Sequence, residues 1–123
     1  RRHLRSNNSW MHNSARLVKD PARCTLLMHP DDAASRGLAQ GQRVVLSSRV
    51  GQIEVALEIA DDMMPGVVSL PHGWGHDRPG VRLSVAGKTA GASANDVTDE
   101  RRIDPVSGTS SLSGVRVSVR AVG

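Results

Sequence analysis

Aromatic residues are nearly absent from this sequence of 123 residues, which has no Phe, no Tyr and only Trp10 and Trp74. A hydrophobic core must therefore be filled by Val, Leu, Ile and Ala. No apolar run approaches the ~20 residues of a membrane-spanning helix, and no segment has the apolar stretch of a signal peptide. Because the length lies in the usual single-domain range, we expect one domain with an aliphatic core and no membrane partner.

Cysteine occurs once, at Cys24, in the apolar run Cys-Thr-Leu-Leu-Met. A single cysteine excludes a disulfide within the chain, and it also excludes an iron–sulfur or zinc site built on several cysteines. We expect Cys24 to be a small buried residue within a strand at positions 24–29.

Lysine is also scarce, because Lys19 and Lys88 are the only two among 16 basic residues and the other 14 are Arg. The formal net charge is +4. The planar guanidinium group of Arg suits phosphates and flat polar rings. High-GC coding also favours Arg over Lys, so the Arg content indicates an anionic ligand without establishing one.

The alternation of apolar and polar residues predicts several short strands and one helix. The strands are expected at 24–29, 43–49, 53–59, 67–70 and 115–122, with a hairpin turn at Gly51-Gln52 and the last strand closing the sheet. A short helix should begin at Pro30 and end at Gly37. These elements predict a small β-barrel or sandwich with one helical crossover. We divide the chain into an irregular N-terminal segment, 1–23, and a β domain, 24–123, with a long loop at 72–111.

The stretch His72-Gly73-Trp74-Gly75-His76 is the most unusual part of that loop. Glycine beside Trp74 lets a backbone approach a flat ligand while the ring packs on it, and histidine offers both a donor and an acceptor. Two His four residues apart could bind a metal from one face of a helix, but the two glycines disfavour a helix. A well-packed loop with exposed His is the alternative.

Two other polar segments are candidate ligand contacts. Asn95 follows a run of small residues, and its amide suits the edge of a heterocycle, although an Asx turn or a helix cap explains it equally well. The Arg, His, Asn and Trp side chains of residues 1–12 suit phosphates and polar rings, with a solvated basic tail as the alternative. Sequence motifs for a catalytic nucleophile or a phosphate-binding loop are missing, so a complete enzyme is not expected.

Six motifs in order resemble the C-terminal molybdopterin dinucleotide-binding domain of the molybdopterin oxidoreductases. They are Ser-Asn-Asn-Ser-Trp-Met-His-Asn (6–13), Met-His-Pro-Asp-Asp-Ala (28–33), Arg-Gly-Leu-Ala-Gln-Gly-Gln-Arg-Val (36–44), Pro-Gly-Val-Val-Ser-Leu-Pro-His-Gly-Trp-Gly-His (65–76), Ala-Asn-Asp-Val-Thr-Asp (94–99) and Asp-Pro-Val-Ser-Gly (104–108). The resemblance covers nearly the whole chain. The variant His-Gly-Trp-Gly-His is most similar to the formate-dehydrogenase-like and anaerobic-dehydrogenase branch.

The resemblance implies a double-psi β-barrel of the aspartate-decarboxylase-like type. It also implies a ligand, the molybdenum or tungsten bis(pyranopterin guanine dinucleotide) cofactor. The positions expected to contact this cofactor are Arg2, His3, Ser9, Trp10, His72, Trp74, His76 and Asn95. In this family the metal's protein ligand and the Fe–S cluster cysteines belong to other domains. Since Cys24 does not match that ligand, the isolated domain is not expected to turn over substrate.

The resemblance also predicts the setting of the domain. The sequence begins at Arg1 and not at a methionine, and we expect it to be a fragment of a longer cytoplasmic oxidoreductase that takes part in electron transport. Its partners would be the Fe–S and molybdopterin domains of the same polypeptide, with no nucleic acid, and the isolated domain should be a monomer. The alternative function is a basic nucleic-acid- or nucleotide-binding β-barrel module. The shortage of aromatic rings for base stacking counts against single-strand binding.

Overall fold

A computed structural model describes residues 9–19 and 21–123 of the chain. The fold is mainly β with few helices, as expected, and it is consistent with a β-barrel. Five strands are present in the described part: β1 (Thr25–Met28), β2 (Arg43–Ser47), β3 (Gln52–Ile59), β4 (Val68–Ser69) and β5 (Ser118–Ala121). They are accompanied by the helix α1 (Pro30–Ser35) and by 3₁₀ helices at Trp10–Asn13, Ala86–Thr89 and Ala94–Asp96.

The five strands form one mixed sheet in the order β4-β1-β3-β2-β5. β1 and β3 are parallel, with Leu26 opposite Leu57, and α1 and β2 make the crossover between them. The other pairs are antiparallel. In β3 the apolar residues alternate with Gln52, Glu54 and other less buried residues, so one face of the sheet is covered.

The core is aliphatic, which confirms the expectation drawn from the missing Phe and Tyr. Its buried members come from β1, α1, the turn after α1, β2 and β3, with one contribution from the long loop. They are Leu26, Met28, Ala33, Leu38, Val44, Leu46, Ile53, Val55, Leu57 and Val97. Val97 matters for the site because it anchors the 94–97 part of the loop to the sheet.

The helix α1 begins as predicted and ends two residues earlier than Gly37. Pro30 occupies its first turn, and the His29 ring accepts a hydrogen bond from the Asp31 amide at 3.1 Å. The chain leaves the helix through Gly37, whose φ of +63° is the left-handed value of a C-terminal cap. Asp32 Oδ2 also accepts a bond from Gly66 N at 2.6 Å, which holds the turn before β4.

The predicted strands at 67–70 and 115–122 are both too long. β4 is confined to two residues, because it pairs only with the end of β1 and a proline lies on either side, at 65 and 71. β5 pairs only with β2, and its partner runs out where β2 ends at Ser47. The prediction that the last strand closes the sheet is therefore wrong, since β5 lies at one edge and β4 at the other.

Cys24 departs from its prediction in both place and burial. It precedes β1 by one residue and is half-buried. Its Sγ accepts a hydrogen bond from Ala92 N at 3.2 Å, because this residue faces the long loop and not the core.

The long loop at 72–111 contains local structure. It includes two of the 3₁₀ helices and an isolated bridge between Ile103 and Ser110. Within the described ranges, no helix is long and apolar enough to cross a membrane.

Candidate functional site

Three rings from two distant segments of the chain lie in contact. His12, in the N-terminal 3₁₀ helix, stacks on Trp74 with ring centroids 3.9 Å apart and an interplanar angle of 27°. His12 also meets His76 edge to face, and its Nδ1 lies 2.8 Å from Nε2 of His76 in a hydrogen bond. The structure thus joins the N-terminal segment to the His-Gly-Trp-Gly-His loop. We call His12, Trp74 and His76 the ring cluster.

His12 is the buried polar centre of the ring cluster, with 2% of its surface exposed. Its Nε2 has no hydrogen-bond partner among the described residues. A buried polar atom left without a partner costs about 1–3 kcal/mol, so such atoms are rare in native folds and often mark a function.

Both histidines of the cluster are held in their neutral form. Burial lowers the pKa of His12, and the neighbouring His76 lowers it further. The backbone of Gly73 acts in the opposite direction on His12, and His72 adds a weaker lowering effect. Burial also lowers the pKa of His76, against the charge of Asp77. Since free histidine titrates near pH ~6.5, both rings are uncharged at neutral pH.

The N-terminal 3₁₀ helix is attached to the long loop at its far end. Asn13 Oδ1 accepts hydrogen bonds from Val85 N at 2.9 Å and Ala86 N at 3.0 Å. At the near end Ser9 has a φ of +86°, a left-handed conformation that is costly for a residue with a side chain. Trp10, which follows it, is 85% exposed. The helix therefore exposes the Trp10 indole to solvent at one end, whereas Asn13 at the other end is hydrogen-bonded to the long loop.

Two glycines let the loop pack on itself beneath Trp74. Gly75 has a φ of +102°, and a Cβ there would lie 2.7 Å from the Cβ of Ser93. A Cβ on Gly91, at a φ of +65°, would lie 2.9 Å from both Cys24 Sγ and Trp74 Cε3. Gly75 N donates a hydrogen bond to the carbonyl of Ala90 at 2.8 Å, which joins the start of the long loop to its middle part. Gly75, which the sequence predicts to let a backbone approach a flat ligand, packs closely against Ser93 in the structure.

A cleft of about 370 Å³ lies beside these glycines. Its charged side chains are of both signs and come from two strands and from the loop: Arg43, Glu54, Asp77, Arg78 and Asp96. Arg43 lies 3.6 Å from Glu54, and Arg78 pairs with Asp96. Such a lining offers donors and acceptors to a polar heterocycle, with little net charge of its own.

Asn95 lies in the 3₁₀ helix Ala94–Asp96 and is exposed. Its carbonyl accepts a hydrogen bond from Thr98 Oγ1 at 3.2 Å, and within the described structure its amide group makes no side-chain hydrogen bond. The Asx-turn alternative is therefore not what the structure shows. Ser93 and Asp96, on either side of it in the sequence, line the cleft, whereas Asn95 itself does not.

A pair of acidic residues just beyond Asn95 is clamped by Arg49. The guanidinium group donates to both carboxylate oxygens of Asp99, at 2.8 and 2.6 Å, and to Glu100 at 2.7 Å. These bonds hold the pKa of Asp99 well below its usual range, with a smaller contribution from the Arg101 amide. The clamp fixes the end of the 94–99 segment to the turn between β2 and β3.

We expect the variant Arg49→Gln to raise the pKa of Asp99 most of the way to its ordinary value, because the first and strongest hydrogen-bond donor is removed. A ¹³C titration of the side-chain carboxyl groups measures it. Asp104, whose pKa is lowered by hydrogen bonds from Ser107 and Val106, is the internal control and should not move. An unchanged Asp99 titration would contradict the clamp.

The structure brings together some of the residues expected to contact the ligand. Trp74 and His76 are in the ring cluster, and His72 is half-buried two residues before Trp74. Ser9 and Trp10 begin the 3₁₀ helix that carries His12. Arg2 and His3 lie outside the described residues.

Sequence reasoning placed His12 in the candidate ligand-facing segment 1–12 but not among the positions expected to contact the cofactor, and it did not single out Asn13. Both residues belong to the motif at 6–13. The available signal was a His-Asn pair following an aromatic residue in a segment without helical or strand periodicity. In the part of the chain that the structure describes, no three His, Cys, Asp or Glu side chains are grouped to hold a metal ion.

The fold and the site define a mainly β domain in which two loop segments meet around a partly buried ring cluster. The family of molydopterin dinucleotide binding domains matches residues 1–116. The chain therefore belongs to this family, and the resemblance seen in its motifs is confirmed.

Several curated proteins contain a similar stretch. The dimethyl sulfoxide/trimethylamine N-oxide reductase of Rhodobacter capsulatus is 43% identical over 51 residues, which are 42% of this chain and 6% of that protein. The dimethyl sulfoxide reductase DmsA of Escherichia coli (strain K12) is 27% identical over 85 residues, which are 69% of this chain and 10% of that protein. The chain thus spans about a tenth or less of these relatives.

The fold itself recurs in a solved structure. Acetylene hydratase from Pelobacter acetylenicus matches 80% of this chain and 14% of that chain with a TM-score of 0.66, at 22% sequence identity. This likeness supports the fold and not a shared reaction.

Proposed function

We propose that this domain holds the guanine dinucleotide form of molybdopterin within a larger oxidoreductase, through the N-terminal segment 1–23 and the loop at 72–111. The observation that carries the proposal is the ring cluster, because His12 and Trp74 come from the two segments that were singled out separately in the sequence. Two polar segments that are far apart in sequence thus lie side by side. A ligand with both a flat ring system and phosphates could contact both of them.

The residues fit such a ligand. His12 Nε2 is a buried polar atom without a partner among the described residues. The cleft beside Gly75 and Gly91 carries both signs of charge, which suits a purine edge with its own donors and acceptors. We assign cofactor contact to Arg2, His3, Ser9, Trp10, His72, Trp74, His76 and Asn95.

The cofactor, when bound, supplies the redox chemistry, and this chain supplies binding and orientation. We propose that molybdenum or tungsten is carried by two such dinucleotides, and that the metal's protein ligand and the Fe–S clusters belong to other domains of the same polypeptide. We also propose a double-psi barrel, a cytoplasmic location and a role in electron transport. The parallel pair of β1 and β3 inside an otherwise antiparallel sheet supports the barrel topology.

The branch and the substrate are a separate proposal. The formate-dehydrogenase-like branch rests on His72-Gly-Trp-Gly-His76 alone, whereas the curated relatives include reductases of sulfoxides and of tetrathionate by name. The whole polypeptide, assayed with a viologen dye, distinguishes the two. Dye reduction by formate would support the branch, and dye oxidation by dimethyl sulfoxide without formate activity would contradict it.

Ligand binding is tested with GDP as the probe. We expect the chain to bind GDP in preference to ADP, and Trp74→Leu to weaken binding by roughly 5- to 150-fold. The basis is that ring stacking contributes about 1–3 kcal/mol, and each 1.4 kcal/mol is about tenfold in affinity. Isothermal titration calorimetry measures both, and Val106→Ala, at an exposed position, is the matched surface control.

The same titration separates the alternative function. A nucleic-acid-binding module would bind a single-stranded oligonucleotide more tightly than GDP, with an affinity that falls steeply with salt. That result, or equal GDP affinity in the Trp74→Leu variant, would contradict the proposed function.

A further inference from the structure

His12 is the residue through which the two ligand-facing segments are held in register. Its ring stacks on Trp74, its Nδ1 is hydrogen-bonded to Nε2 of His76, and the next residue, Asn13, accepts bonds from Val85 N and Ala86 N. These contacts all run from one short 3₁₀ helix to the long loop. Without His12, neither the indole nor the imidazole of the loop would retain its neighbour from the N-terminal segment.

We propose that His12 is a positioning residue whose neutral ring orients Trp74 and His76, and that protonation releases the N-terminal 3₁₀ helix from the loop. The inference rests on the proposed function in one respect, namely that the surface so formed faces the dinucleotide. The proton dependence of the contact itself needs no ligand.

The proton dependence follows from the hydrogen bond and the burial. A bond between two imidazole nitrogens needs one N–H and one lone pair, so the pair loses it when both rings are fully protonated. Two cations would then face each other 2.8 Å apart, with one ring cut off from water. The hydrogen bond therefore requires that at least one of the two rings stay neutral, and the burial of His12, whose Nε2 has no partner among the described residues, disfavours a charge on that ring.

Proton linkage determines the direction in which the docking equilibrium changes with pH. The released rings would titrate near pH ~6.5, whereas in the docked state both pKa values are lowered. The released state therefore binds more protons, and docking is lost as the pH falls below about 6.5. The docking equilibrium changes by at most about tenfold per pH unit for each ring that gains a proton.

The other titratable groups near the pair do not reverse this direction. His72 acts on His12 in the same sense, because it lowers the pKa of His12 further. Asp77 opposes the effect at His76 only. The 3₁₀ helix Ala86–Thr89, which packs against the N-terminal one, carries Lys88 as its titratable residue, and a cation there adds no attraction for a charged His12.

Amide hydrogen exchange on the ligand-free chain tests the proposal. The amides of Val85 and Ala86 report docking, since both donate to Asn13 Oδ1. After correction for the intrinsic rate, we expect their protection to fall at least tenfold between pH 7.5 and pH 5. The Leu57 amide, which donates to Gln42 O beside the central strand, is the internal control and should stay protected.

Two variants at position 12 separate positioning from mere packing. His12→Phe keeps a ring on Trp74 but cannot gain a proton, so protection should persist at both pH values. His12→Ala should lose protection already at pH 7.5. His29→Gln is the matched control, because His29 caps α1 away from the cluster, and the pH dependence should remain. A wild-type pH dependence in His12→Phe, or full protection in His12→Ala at pH 7.5, would overturn the proposal.

GDP titration of the same variants separates this inference from the proposed function. If the amides behave as expected and GDP does not bind, the proposed ligand is wrong and the positioning role stands. If GDP binds but His12→Ala retains both affinity and amide protection, the positioning role is wrong and the proposed function stands.

Discussion

Replacing Gly75 with alanine is expected to destabilise the folded chain by about 2–6 kcal/mol. The backbone at this position has a φ of +102°, which costs a residue with a side chain about 1–3 kcal/mol. The new methyl group would also lie 2.7 Å from the Cβ of Ser93, and overpacking of this kind adds about 1–3 kcal/mol. Urea denaturation of the variant and the parent chain measures the difference.

Gly80→Ala is the matched control for this substitution. Gly80 has a φ of +90°, but nothing lies within 4 Å of a Cβ built there. It therefore carries the cost of backbone strain without the clash. We expect Gly75→Ala to be the more damaging of the two by about 1–3 kcal/mol.

The damage should also be local to the ligand-facing loop. Gly75 N and His76 N both donate to the carbonyl of Ala90, and these bonds cannot form if residue 75 moves away from Ser93. Their amides should exchange faster in Gly75→Ala and not in Gly80→Ala. Equal effects of the two variants would mean that close packing against Ser93 is not what holds the loop.

Much of the sheet could be predicted because its signals are local. The alternation in β3 and the proline and glycine around α1 fix periodicity and ends within a few residues. The ends of β4 and β5 could not be read this way. β5 begins only where β2 ends, at the pair of Ser118 and Ser47, and that depends on pairing between residues more than 70 positions apart.

The same contrast between local signals and long-range contacts holds for the site. The unusual composition of 72–76 predicted a functional loop, and the structure places Trp74 and His76 of that loop in the ring cluster. The role of His12 depends on a stack and a hydrogen bond across 64 positions, and nothing within its own segment encodes that contact. Cys24 was misplaced for a related reason, because its partner is the Ala92 amide in the distant loop.

The second large effect is expected at Leu26, in β1. Leu26 is fully buried, and β1 lies in the interior of the sheet between β3 and β4. Leu26→Ala should cost about 2–5 kcal/mol, because the lost contacts and the cavity both count. Leu26→Met, which nearly keeps the volume, should cost less than about 1.5 kcal/mol. Leu112→Ala, at a position that is 68% exposed, should change stability by no more than about 0.5 kcal/mol.

The Leu26 series also tests how the site depends on the sheet. Cys24, two residues before Leu26, accepts the Ala92 amide, and Gly91 next to it supports the edge of Trp74. A cavity at Leu26 that shifts β1 should therefore loosen the loop as well as the core, seen as faster exchange of the Ala92 amide. A Leu26→Ala variant that loses less than about 1 kcal/mol in urea denaturation would show that β1 contributes little to the core. Normal stability loss with an unchanged Ala92 amide would instead show that the loop is held independently of the strand.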